Sequence, residues 1–202
     1  MNPTLKHVCL LALFVVSQSS VAIDKNARQA FDELMVESGL HMQTPQNYVD
    51  VPVQANPVFP YEHAIKHESG ALEMRFIVRP LSRILIDYTD PHNAAPEPNH
   101  LFPLLFESIT NQLSTDSDTP SNTFSESAAQ DHFNAHWAAA AAFDVNPEFS
   151  SGYRSAVLIG MHKNQVADAY TLFLYNDHEQ AKTLINAALS TLAFIPATTE
   201  TQ

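Results

Sequence analysis

Cysteine is nearly absent from this 202-residue sequence: the single one, Cys9, lies in an apolar stretch near the N-terminus. That stretch, residues 8–16, is too short to span a bilayer and has the length of a signal-peptide core. Lys6 and His7 precede it, and Ser20-Val21-Ala22 follows it with small residues where a signal peptidase needs them. Cleavage after Ala22 is expected, leaving a mature chain that starts at Ile23 and has no cysteine. Such a chain excludes thiol catalysis, Cys-ligated zinc and iron–sulfur chemistry, and it must be held by its core rather than by disulfides.

Glycine is scarce too, with four residues, and none of them forms a phosphate-binding loop. There is no GxSxG, SxxK or HExxH, and no spacing picks out a catalytic pair of carboxylates. Basic residues are few: ten Lys and Arg stand against 22 Asp and Glu. Loss of Lys6 with the leader leaves nine, a net charge of −13 for residues 23–202. Nucleic acid and anionic lipid surfaces should repel such a chain. No transmembrane segment is expected after the leader, because no later stretch is apolar enough. The partner expected is a protein or a small-molecule ligand, and the compartment is the periplasm or the exterior.

What is present points to one domain of α+β class. The sequence divides into a signal peptide over 1–22, an N-terminal helix with an extended connector over 23–57, and an α+β domain over 58–196. Asp24 can cap a helix over 25–38, which Gly39 stops. Residues 41–60 hold four prolines and few periodic apolar positions, hence a connector. A hairpin follows, with strands over 61–68 and 71–79 about the turn Ser69-Gly70. Residues 81–88 could resume as a strand after Pro80, and 90–98 form a loop. Asn99 can cap a helix to Leu113, and 114–125 is polar, acidic and expected to be mobile. Ser127 and Gln130 have capping-box spacing for a helix through His136. Residues 137–145 (WAAAAAFDV) suit either helix or buried strand. The chain then builds a hairpin from 153–162 and 166–175, covered by a helix over 178–194 with Asp177 as its cap. The fold expected is a single, mainly antiparallel sheet covered by helices, ending in that hairpin and a C-terminal helix.

Two clusters could carry a site. Arg75, Arg79 and Arg83 place three of the nine mature basic residues within nine positions. On a strand Arg75 and Arg79 share a side, where they could grip a carboxylate or phosphate, or pair across the hairpin with Glu62, Glu68 or Glu73. The second cluster is His132 and His136, one turn apart if the helix reaches that far. Two imidazoles so placed can share a zinc or copper ion, with Asp131 or His162 completing the set. His63 and His67 have the same spacing but fall on a strand, where four residues span roughly 13 Å and no single ion bridges them. No residue qualifies as catalytic.

The phrases LEMRFIVRPL (72–81), HFNAHWAAAAAFD (132–144) and MHKNQVADAYTLFLYND (161–177) resemble those of an uncharacterised family of small secreted proteins from Gram-negative bacteria. In that family the middle phrase reads closer to FNADW, so His136 stands where an acidic residue is usual. The resemblance implies no activity. The element order is also similar to the PsbP-type fold of extrinsic photosystem subunits, an analogy of fold alone. Taken together, an exported, non-enzymatic binding or cell-envelope accessory protein is expected; the alternative is a metal-binding protein or metal-dependent enzyme built on His132 and His136.

Overall fold

Strand β8 (Ala167–Tyr175) is the hub of the molecule, and all nine of its residues are buried. A strand needs apolar residues on both faces only if both faces are covered, and here they are. The computed structural model describes residues 16–84, 97–150 and 152–196, with side chains from Lys25 onward. In chain order the elements are α1 (Val16–Glu37), β1 (Leu40–Met42), β2 (Tyr48–Asp50), β3 (His63–His67), β4 (Glu73–Pro80), α2 (Phe102–Leu113), β5 (Ser121–Thr123), α3 (Glu126–Phe133), β6 (Trp137–Asp144), β7 (Ser155–Lys163), β8, α4 (His178–Ala188) and β9 (Leu192–Phe194). Seven strands form one sheet in the order β2-β3-β4-β8-β7-β6-β5, and every neighbouring pair is antiparallel. β1 and β9 pair separately as a two-stranded clasp.

Alternation along the strands divides the interior into two cores. On one face Met74, Phe76, Val78, Ala169 and Phe173 share a core with Phe31 and Met35 of α1, Phe133 of α3 and Ile185 of α4. On the other, Ile77, Leu158, Tyr170, Leu172 and Leu174 share one with Phe102 and Phe106 of α2. The α+β expectation holds, as three layers: helices, sheet, helix.

Close approach of α2 depends on Gly160 in β7. A Cβ built there would lie 2.5 Å from Phe106 Cδ2 and 2.8 Å from its Cε2, too near for any side chain. The alanines of β6 act in the same way. Alanine favours helix in isolation, but a strand between α2 and α3 can bury small side chains on both faces, and tertiary packing overrides the propensity. The ambiguous stretch 137–145 is therefore a strand.

Several boundaries differ from expectation. α1 is already helical at Val16, the first described residue, rather than starting behind an Asp24 cap, and it runs through the expected cleavage site at Ala22. Residues 1–15 of the leader lie outside the described residues. Gly39 does stop the helix, with φ +56°. The connector holds β1 and β2, and Ser121–Thr123 in the supposedly mobile region pairs with β6. Leu81–Arg83 is a 3-10 turn rather than the start of a strand, and residues 85–88 and most of the loop 90–98 lie outside the described residues. α2 starts after Leu101, not at an Asn99 cap. α3 is capped by Ser125, whose hydroxyl accepts from Ala128 N at 3.2 Å, and not by Ser127. It ends at Phe133 because Asn134 takes the left-handed conformation, which an Asn side chain tolerates. The last helix stops at Ala188, and the apolar residues beyond it form β9.

Candidate binding sites

Residues 73, 75, 77 and 79 of β4 point toward the α2 face, so Arg75 and Arg79 do share a side. They do not share a site. The roughly 13 Å between them on a strand is enough for two pockets, and the loop 51–61 divides them. Phe59 lines one pocket and Tyr61 the other.

Arg75 is 7% exposed. Its guanidinium lies 4.7 Å from the Tyr61 ring centroid and 5.3 Å from that of Phe149, a cationic plane between two aromatic faces. Nε donates to Glu73 Oε1 at 2.8 Å, while Glu73 Oε2 accepts from the Tyr153 hydroxyl at 2.7 Å. Burial first, and then the hydrogen bond and charge of Glu73, push the Tyr153 phenol well above its ordinary range. The flanking loops are themselves fixed. Gln54 N donates to Tyr61 Oη at 2.9 Å, and Asn56 Nδ2 donates to Phe149 O at 2.7 Å. Asn56 Oδ1 also accepts from Val58 N and Phe59 N, both at 3.0 Å. These parts enclose a polar pocket of about 550 Å³, with Lys66 over the Tyr153 ring and Glu148 also lining it. Among the described residues neither terminal nitrogen of Arg75 has a hydrogen-bond partner, and the residue lines the pocket.

Arg79 and Arg83 are occupied by acids. Arg79 Nη1 donates to Glu62 Oε1 at 2.6 Å and Nη2 to Pro60 O at 3.1 Å. Arg83 donates through Nη2 to Glu37 Oε2 at 2.6 Å, which holds the Glu37 carboxyl below the usual range. Both arginines line a second pocket, of about 410 Å³ and mostly apolar, walled by Leu34, Phe59, Val78, Leu105 and Ile109. All three arginines are thus ion-paired, but among the described residues only Arg75 keeps both terminal nitrogens without a hydrogen bond.

The imidazoles are arranged differently from the helical expectation. His132 is on α3, its ring against Phe133 at 5.8 Å and Phe124 at 6.4 Å. His136 lies beyond the helix, where its N donates to His162 O at 2.9 Å and its Nδ1 accepts from Asn164 N at 3.0 Å. The one-turn relation that would let the two share an ion is therefore absent. Among the described residues no group of three or more His, Cys, Asp or Glu could hold a metal ion.

A buried pair on the α2 face was not anticipated as such. His162 Nδ1 is 2.6 Å from Asp168 Oδ1, and both side chains are almost wholly enclosed. Burial pushes the Asp168 carboxyl up, against the opposing hydrogen bond and charge of His162. The signal was in the hairpin: 162 and 168 are equidistant from the turn at 165, so antiparallel pairing sets them opposite each other.

No family model matches the chain, and no curated protein does. Among solved structures it is similar to cyanobacterial PsbP (CyanoP) from Synechocystis sp. PCC 6803, with 10% identity and a TM-score of 0.42 over 78% of this chain and 88% of that one. The likeness is one of fold, and weak. Among the described residues no helix is long and apolar enough to cross a membrane.

Proposed function

We propose that this chain is an exported, non-enzymatic binding or cell-envelope accessory protein that captures a small anion, a carboxylate or phosphate, at Arg75. Export is supported by the leader-like residues 1–22 and by the resemblance to a family of small secreted proteins. The observation that carries the binding role is the state of Arg75: desolvated, clamped by Glu73 and two aromatic rings, lining a pocket, and among the described residues with neither terminal nitrogen hydrogen-bonded. A fixed planar fork of this kind suits a planar or tetrahedral oxyanion, and its preorganisation lowers the ordering cost of binding. Glu73 already neutralises Arg75, and Lys66 and Glu148 line the same pocket with opposite charges, so recognition rests on geometry.

Calorimetry with benzoate, succinate and inorganic phosphate tests the reading and separates the two anion classes. At least one should bind the wild type, and Arg75→Met should weaken it tenfold or more while Tyr170→Phe leaves it unchanged. Absence of heat with all three, or equal affinity in Arg75→Met, would overturn the assignment.

A further inference from the structure

The second pocket has a different chemistry, and its polar end is unfinished. Tyr170 is 2% exposed and Asp168 3%. Both line the pocket, two positions apart on the same face of β8. Among the described residues the Tyr170 hydroxyl and Asp168 Oδ2 have no hydrogen-bond partner, yet neither atom is sealed off in the interior. Both oxygens can therefore bond water or the polar group of a ligand at this end of the pocket. Phe102 of α2 backs this end, its ring 5.4 Å from that of Tyr170 and 5.3 Å from that of His162.

Both arginines at the pocket are paired: Arg79 with Glu62 at 2.6 Å and Arg83 with Glu37 at 2.6 Å. The His162 ring has an oxygen at each nitrogen, Asp168 Oδ1 at 2.6 Å and Asn164 Oδ1 at 3.0 Å, so it is held in place behind Asp168. The walls are Leu34, Phe59, Val78, Leu105 and Ile109, and the volume of about 410 Å³ is that of a small-molecule site.

We infer that this pocket is a second ligand site, distinct from the one at Arg75, and that it takes a neutral apolar molecule ending in a hydroxyl group. The apolar body lies against the aliphatic walls. The hydroxyl donates to Asp168 Oδ2 and accepts from the Tyr170 phenol, which completes both groups at once. An ammonium or carboxylate is disfavoured, because it would bring a further charge into a mostly apolar site whose two arginines are already paired with Glu62 and Glu37.

The test compares four probes of like size on the full chain: octanol, heptyl methyl ether, octylamine and octanoate, titrated by calorimetry. Octanol should bind best. The ether has the same number of heavy atoms but no O–H to donate, and it should bind about tenfold more weakly. Tyr170→Phe should weaken octanol by about fivefold and the ether less. Leu105→Trp, at a site 40% exposed, fills the pocket from α2 without entering the core and should abolish octanol binding while anion binding at Arg75 persists. The inference is overturned if octanol does not bind, if the ether matches it, if octylamine or octanoate binds more tightly, or if Leu105→Trp binds octanol like the wild type.

Discussion

Two arginines four residues apart on one face of one strand have opposite fates. Arg75 lies between aromatic rings with part of its guanidinium uncommitted; Arg79 spends its nitrogens on Glu62, Val78 O and Pro60 O. What differs is the loop above them. Over Arg75 it brings Tyr61 and, through Asn56, Phe149, whose π faces hold a cation without consuming its donors. Over Arg79 it brings backbone and a carboxylate, which do consume them. A cation on a sheet keeps donors to spare where its neighbours are mostly aromatic and becomes a strut where they are oxygen.

The largest expected effect removes the floor both regions stand on. Leu172 is fully buried and opposite Arg75 in register, so Leu172→Ala should cost about 2–5 kcal/mol by urea denaturation. A loss below about 1 kcal/mol would mean the two pockets do not share a rigid base. Next comes Arg75→Met, which leaves Glu73 buried beside Tyr153 without its cation; we expect a loss of about 2–3 kcal/mol, discounted for the open pocket. Adding Glu73→Gln should recover most of it, because the pair is removed whole. No recovery in the double variant would show that Arg75 is held by its rings and not by Glu73.

Gly160→Ala separates the regions. It forces Phe106 aside and should cost about 1–3 kcal/mol. Octanol binding should fall with it, since α2 walls that pocket, whereas anion binding should not. The smallest effect is at the rim. The Arg83 bond lowers the folded-state pKa of Glu37, so its contribution exists above the ordinary carboxylate range and disappears as pH falls through the lowered value. Arg83→Ala should remove that small pH dependence from the melting temperature, and high salt should hide the difference, as for any exposed pair.

Much of the fold was legible because it rests on short-range rules. The hairpins at Ser69-Gly70 and 163–166, the Asp177 cap and the period-two pattern of β4 all read correctly from neighbours in sequence. The misses, and the choice left open over 137–145, came where a distant element decides. Ala138, Ala139 and Ala141 are buried in a strand because helices pack on both sides of the sheet. Residues 192–194 are strand because β1 is there to pair with. Ser125 displaced Ser127 as a cap by two residues, a difference too small for spacing to detect. As for sites, Arg75 was visible as a cation on a strand, but Phe149, one of the two rings beside it, is 74 positions away. His162 was noticed only as a spare metal ligand. Its true partner, Asp168, needed nothing beyond the register of the hairpin.

The clasp of β1 with β9 has a consequence for how the chain could be rewired. Leu40 faces Phe194 across the pair, and Ile195 N donates to Gly39 O at 2.8 Å, so the two ends of the folded body meet. A short linker could join them, and new ends could be opened at Ser69-Gly70, where Gly70 has φ +77° and nothing within 4 Å of an added Cβ. Such a circular permutant would keep every strand of the large sheet in its order, but it leaves out α1, and with it Phe31 and Met35 of one core.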